Sequence, residues 1–284
     1  MTKERDRLIL MDGVSTSYSA YFHGAKFGRD KEDYPAMMDC FFMRTGAIMR
    51  VYNTKDVHIF FDDTESSIRK KIYPAYREIN FQNGPKAVRT RQLWPTMQKD
   101  LLECGFSLYG SPGLEGLDLI GQVVKDNPDR KISIISEHYR TLQLLSENVD
   151  VLPFTGISAG AKSLNPIQVR DFLLQYPFKI SQWTDYLSMV GYGEDNIKGV
   201  KGIGKVAATD CLTGETLKVR QVAALNASKE TMEKEKKLHT LPIEPVVLEL
   251  QEGGFDPFGV MKVMQKLGLT SRMKSPVWGG EENV

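Results

Sequence analysis

Acidic side chains stand at points along this sequence where they could work on a phosphodiester. Asp12 follows the apolar run at 8–11, and Asp62 and Asp63 follow the apolar run at 57–61. Glu115 and Asp118 open a helical pattern soon after the short step at 107–109. Three-residue spacing puts Glu115 and Asp118 on one helix face, so both can aim at one point. Carboxylates gathered at one point repel each other unless a cation lies among them. An all-oxygen ligand set suits Mg²⁺ or Mn²⁺. Such an ion polarises a phosphate and lowers the pKa of a bound water, which is the chemistry of phosphodiester hydrolysis. Taken singly, each acid reads equally as a turn, cap or surface residue. Their recurrence at successive strand ends favours the metal reading, because ligands in open α/β sheets bind beyond the carboxyl ends of the strands.

Residues 195–208 carry a different chemistry. Gly199, Gly202 and Gly204 mark two small turns, with Lys198, Lys201 and Lys205 interspersed and an alanine-rich helix start behind them. Glycine lets a backbone approach a partner closely, and the amides at a helix start attract anions. The ligand this suits is the sugar–phosphate backbone of DNA, which fixes register without reading sequence. A plain glycine-rich connection between helices is the alternative, since such patterns alone are weak signals. A third cluster is basic: Arg69, Lys70, Lys71, Arg77, Lys86, Arg89 and Arg91 fall within 69–91 beside the single acid Glu78, with Tyr73, Tyr76, Phe81 and Trp94 interleaved. Basic groups track phosphates and aromatic faces stack on unpaired bases; a solvated charged loop is the alternative. Gly84-Pro85 points to a flexible loop there rather than a long helix.

These residues need a sheet to position them. Apolar runs at 8–11, 57–61, 107–109, 132–136 and 149–152 read as strands, and the segments at 34–52, 93–104 and 115–125 as helices. Strands alternating with helices imply a parallel α/β sheet. From about Asn165 the strand signals fade and helices take over. The division expected is a domain over 1–164, a helical subdomain over 165–270, and a frayed tail over 271–284. The Lys/Glu-rich segment 229–237 reads as a solvated helix face. With 37 basic and 36 acidic side chains, a globally basic protein is excluded and any nucleic-acid footprint is local. Cys40, Cys104 and Cys211 lie far apart, which suits core thiols in a reducing compartment and argues against zinc. No apolar run approaches the roughly 20 residues that span a bilayer, and the charged start 1–7 is not a signal peptide.

In this order the motifs resemble the 5′-nucleases: phage-type flap endonucleases, phage 5′–3′ exonucleases and the 5′-nuclease domain of bacterial DNA polymerases. Met11-Asp12-Gly13 with Tyr18-Ser19-Ala20-Tyr21 is similar to the family's first motif, and Phe61-Asp62, Arg69 and Tyr73-Pro74-Ala75-Tyr76-Arg77 to its second. Gly113-Leu114-Glu115-Gly116-Leu117-Asp118 matches the acidic helix start, residues 191–204 the helix–three-turn–helix clamp, and Leu225-Asn226-Ala227-Ser228 a late segment of phage-type members. The likeness covers residues 8 to about 268. It implies a PIN-like parallel sheet, a helical arch within 69–104 and a C-terminal DNA clamp. It implies metal ligands at Asp12, Asp62, Glu115, Asp118 and Asp195, catalytic cations at Arg69 and Arg77, and K⁺ on the backbone carbonyls of Val200 and Ile203. DNA contacts are implied at Lys70, Tyr76, Arg77, Lys86 and Arg89, and along the hairpin at Lys198, Gly199, Lys201, Gly202, Gly204 and Lys205. The partner implied is duplex DNA with a single-stranded 5′ end or flap, with a replication or recombination protein beside it and no membrane, in a cytoplasm (a bacterial host's if the source is a phage).

The chain departs from the family at the second metal site. There the expected aspartates are His138, Arg140 and Tyr192; the first site lacks one expected at Leu117, and near the first motif an arginine that would meet the phosphate is Ser19. A guanidinium does not give up its proton, so Arg140 would repel a metal ion and pair with Glu115, Asp118 or a DNA phosphate. His138 is a poor Mg²⁺ ligand, though it could serve Mn²⁺. Glu137, one residue out of step on a strand, would point to the opposite face. The expectation is a DNA-binding family member with impaired hydrolysis. The alternatives are an active Mg²⁺- or Mn²⁺-dependent nuclease using a remnant site, and a protein-interaction role with DNA contact also lost.

Overall fold

The computed structural model describes residues 7–27, 33–63, 67–78 and 84–279. Phe81 of the basic stretch, residues 1–6 and residues 280–284 of the tail lie outside them. The strands are β1 (Leu8–Asp12), β2 (Val57–Phe60), β3 (Ser107–Tyr109), β4 (Ile132–Ile135) and β5 (Val149–Leu152). They form a parallel sheet in the order β3-β2-β1-β4-β5, with Leu10 of β1 level with His58 and Ile134 on either side. β1, β2, β4 and β5 are buried along their length, and apolar residues predominate in them because both faces are covered. Ile9 and Met11 pack on one side with Phe41, Met97 and Phe154, and Leu8 and Leu10 on the other with Ile120, Phe172 and Trp183.

The helices are α1 (Gly13–Phe27), α2 (Asp33–Tyr52), α3 (Ile68–Ile72), α4 (Pro85–Glu103), α5 (Gly116–Asp126), α6 (Val169–Gln175), α7 (Trp183–Val190), α8 (Lys205–Thr213), α9 (Val219–Ala227), α10 (Lys229–His239), α11 (Pro257–Lys266) and α12 (Thr270–Met273). None of the described helices is long and apolar enough to cross a membrane. The parallel sheet flanked by helices is the PIN-like α/β arrangement expected.

Three expectations are corrected. The segment after Gly84 is helix α4 from its first residue: Pro85 occupies a position where its missing N–H costs nothing, and Ala87, Thr90, Leu93, Trp94, Met97 and Leu101 bury one face. The tail is anchored as far as Gly279, because Trp278 is 1% exposed and meets Phe42 and Phe255 at ring distances of 5.5 and 5.1 Å. Cys40 and Cys104 are core thiols, but Cys211 is exposed on α8.

Strand order changes direction between β1 and β4, and a crevice opens there beyond the strand ends. Asp12 ends β1 at this point, and the Ser136 hydroxyl just past β4 donates to its Oδ2 at 2.7 Å. α7 and the hairpin after it pack on the same side through Trp183, Leu187, Val200 and Ile203, which share a core with Leu8 and Ile132.

Candidate active site and nucleic-acid interface

A cavity of about 120 Å³ lies at this crevice, with Asp12, Asp62, Glu115, Arg77 and Asp195 in its wall. Asp12 accepts the Ser15 N–H from the first turn of α1 at 3.0 Å. Burial raises its carboxyl above the ordinary value, against the pull of those hydrogen bonds and of Arg77 and Arg140. Asp62 accepts the Gly116 N–H at 2.8 Å and lies 3.2 Å from Arg77 Nη1. Its carboxyl is pushed up to about 7 by burial and by the neighbouring charges of Glu115 and Asp12, which outweigh Arg77. Both acids therefore face the cavity with too little positive charge beside them.

Glu115 and Asp118 do not meet at one point. Glu115 is the N-cap of α5 and Asp118 its third residue, and the Asp118 side chain reaches back to the N-cap as in a capping box. That geometry turns the Asp118 carboxylate back on Glu115 N–H (3.0 Å) and away from the cavity. Arg69 holds Asp118 by two bonds of 2.6 and 2.8 Å, and the Ile243 N–H donates to it at 2.9 Å. Arg69, 1% exposed, also donates to the carbonyls of Leu238 and Thr240. It is a cross-link among α3, α5 and the end of α10, not the cation at the cavity that the resemblance implied.

Glu115 does reach the cavity, where Tyr76 donates to its Oε1 at 2.9 Å and Arg140 pairs with its Oε2. Burial works to raise its carboxyl, but the guanidiniums of Arg140, Arg69 and Arg77 outweigh burial and hold it well below the carboxylate range. Arg140 is fully buried and chooses Glu115 among the partners expected for it; its Nε and Nη1 have no hydrogen-bond partner. Asp195 accepts Arg77 Nε at 2.7 Å and the Tyr139 hydroxyl at 2.8 Å. Despite burial, Arg77 and Arg140 hold its carboxyl well below the ordinary value. His138, stacked on Tyr139 at 4.6 Å, is kept neutral by burial and by Arg140. Tyr192 also stacks on Tyr139, at 3.5 Å, so an aromatic pair stands where the resemblance implied a ligand. Leu117 borders the cavity. Ser19 accepts Arg44 Nη1 at 2.9 Å, so a buried arginine from α2 stands beside that degenerate position.

Glu137 is corrected. β4 ends at Ile135, so strand alternation no longer applies two residues on, and Glu137 borders the same cavity with Oε2 3.4 Å from Ser15 Oγ. The Thr155 N–H holds its other oxygen at 2.8 Å. Among the described residues, no three His, Cys, Asp or Glu side chains are gathered so that they could hold a metal ion. The physical reason is visible in each pairing: Asp118 faces Arg69, Glu115 faces Arg140, and Asp195 faces Arg77. The donor set does not fit the pair of divalent ions that the resemblance implies.

The hairpin leaves α7 at Gly191 (φ 72°) and passes Gly199 (φ 65°). The two glycines press together: a Cβ on Gly191 would stand 2.4 Å from the Lys198 carbonyl carbon, and one on Gly199 2.4 Å from the Gly191 nitrogen. Val200 and Ile203 bury their side chains, and the Val200 carbonyl accepts the Ile203 N–H at 3.0 Å. Gly202 has φ 87°, and Gly204 is the N-cap of α8. Lys198, Lys201 and Lys205 are all exposed on this turn. The 229–237 helix is not wholly solvated, because Glu235 is buried and accepts the N–H groups of Lys198 and Gly199, its carboxyl raised to about 6 by burial. Sequence reading missed Glu235, Tyr139 and Ser136; a Glu in a charged run and a Tyr after a strand carry no periodicity that marks them.

The basic stretch splits in two. Lys70, Lys86 and Arg89 are exposed, with Arg89 3.9 Å from Asp33. The described aromatics turn inward: Tyr76 is 1% exposed and Trp94 packs on Tyr18, its Nε1 donating to Ser17. Tyr76 therefore cannot stack on a base as expected.

A family model described as "5′-3′ exonuclease, N-terminal resolvase-like domain" matches residues 7–172. A 5′-3′ exonuclease of Buchnera aphidicola subsp. Schizaphis graminum is 27% identical over 201 residues, which span 69% of this chain and 66% of that protein. A 5′-3′ exonuclease of Aquifex aeolicus is 26% identical over 214 residues, 72% of this chain and 68% of its own. Among solved structures, T5 5′-exonuclease with bound zinc matches at a TM-score of 0.66 and 18% identity, covering 96% of this chain and 98% of that one. The catalytic core of Rad2 in complex with DNA substrate matches at 0.59 and 13%, covering 96% and 93%. At these identities the structural matches speak for the fold.

Proposed function

Because the chain belongs to the 5′-3′ exonuclease family, we propose that it binds duplex DNA carrying an unpaired 5′ end without hydrolysing it. The observation that carries this reading is Arg140, a fully buried guanidinium paired with Glu115. A permanent charge there opposes a divalent ion and already uses the carboxylate that would hold it. The duplex would lie on the hairpin, its phosphates met by Lys198, Lys201 and Lys205, the amides around Gly199, Gly202 and Gly204 and, where K⁺ binds, the carbonyls of Val200 and Ile203. Lys70, Lys86 and Arg89 would track the single strand, and Arg77 would meet the phosphate at the cavity. A replication or recombination complex in a phage-infected or bacterial cytoplasm is the setting such a protein suits.

A second reading, residual hydrolysis in Mg²⁺ or Mn²⁺, draws support from Asp12 and Asp62, whose carboxyls burial raises and a cation in the cavity would hold ionised. Incubation with a 5′-labelled flap substrate in each metal, beside an Asp12→Ala control, separates the two. The first reading expects binding without cleavage. Cleavage that disappears in the control would overturn it in favour of the second.

A further inference from the structure

Two segments far apart in sequence hold each other at the mouth of the cavity. One is 75–77, within the basic stretch; the other is 195–197, within the hairpin segment between Gly191 and Gly199. The Arg77 N–H donates to the Asp195 carbonyl at 3.0 Å, and Arg77 Nε donates to the Asp195 carboxylate at 2.7 Å. Asn196 Nδ2 returns a bond to the Ala75 carbonyl at 2.7 Å. Between them Tyr76 is buried against Ile197 and Leu238. Arg77 and Asn196 both adopt left-handed backbone, at φ 54° and 56°. For an arginine that conformation is uncommon, and it persists only where the surroundings over-determine it. The four contacts named here do so.

The direction of one side chain depends on this lock. Arg77 is the guanidinium in the cavity wall, while Arg69 and Arg140 are buried behind it. Asp195 holds its Nε, while Asp62 and Glu115 meet its Nη1 at 3.2 and 3.3 Å inside the cavity. The Asp195 carboxylate accepts the Tyr139 hydroxyl, so it also ties in the chain beyond β4.

We propose that Asp195 is a positioning residue that couples the duplex-binding hairpin to the single-strand side of the cavity through Arg77. The ligand selected in this way is a duplex with an unpaired 5′ end, in preference to the same duplex without one. The inference rests on the DNA-binding reading above. Asp195 thereby serves arginine rather than a metal ion.

The test uses the full chain, with fluorescence anisotropy on a labelled duplex with and without a 5′ flap, in buffer free of divalent ions. Asp195→Asn removes the charge that holds Arg77. Asn196→Gly keeps every charge and the left-handed backbone and removes only the bond to Ala75. Asp195→Asn is expected to weaken flap binding about tenfold and plain-duplex binding by less than about twofold. Asn196→Gly is expected to show the same selective loss, about threefold. Arg77→Ala with Asp195→Asn should bind the flap as Arg77→Ala alone does, within about twofold. An equal loss on both DNAs would mean a structural role only and overturn the proposal, as would unchanged flap binding. If Asp195→Asn does not fold, Asn196→Gly decides. A wild-type protein that binds neither DNA defeats the DNA-binding reading itself.

Discussion

Asp62 and Glu115 belong to one cavity yet are driven in opposite directions. Three guanidiniums hold Glu115 ionised, while Asp62 has Arg77 and the Gly116 N–H against burial and two acidic neighbours. Asp62 therefore takes up a proton on folding between its ordinary value of 3.8 and about 7. The folded state binds more protons in that window, so this group's contribution to stability falls as pH rises through it. Asp62→Asn removes the penalty. Near about pH 8 the variant should be more stable than the wild type, on the order of 2 kcal/mol, and the two should converge near about pH 4. Denaturant melts of both proteins across that range check this; a gap independent of pH would contradict it. Asp12 and Asp62, which line the cavity, were legible because a carboxylate just past an apolar run is a local signal, and Glu115 because it opens a helical pattern. Asp118 was misread because its three-residue spacing from Glu115 fits a shared ligand and a capping box equally well. The charge of Arg140 was legible too, but its partner is set by tertiary packing.

Elements reproduce the same division between local and distant causes. Short stretches dominated by apolar residues located the five described strands, since a parallel strand covered on both faces is mostly apolar. α4 was only half recognised because Gly84-Pro85 was weighed as loop punctuation, although proline favours a first helical turn as strongly. The Trp278 anchor was illegible because Phe42 and Phe255 are remote in sequence. The hairpin was legible from its glycines, and the close pair supplies the reason two of them are required. Gly191→Ala would drive a Cβ to 2.4 Å from the Lys198 carbonyl carbon at a φ of 72°. It should cost about 2 kcal/mol or more in thermal unfolding and weaken duplex binding together with stability. Gly193→Ala, with nothing within 4 Å, is the matched control and should leave duplex binding unchanged. Equal behaviour of the two variants would contradict the account of the hairpin.

At the scale of the whole molecule, a net charge of +1 leaves no general attraction for a polyanion. Affinity for DNA must then come from placement: exposed lysines on the hairpin, and exposed Lys70, Lys86 and Arg89 along α3 and α4. Such binding weakens steeply with salt, in proportion to the phosphates neutralised. Lys201→Glu should lower duplex affinity and reduce the slope of log affinity against log salt by about 1. An anisotropy titration over several KCl concentrations measures it, and an unchanged slope would remove the hairpin from the interface.

The uneven burial of the cysteines has a practical side. Cys40 and Cys104 are sealed in the core, and Cys211 is open to solvent on the helix that leaves the hairpin. A maleimide dye added to the unaltered chain would attach at that one position, so the arrival of a nucleic acid could be followed by its emission without engineering a handle.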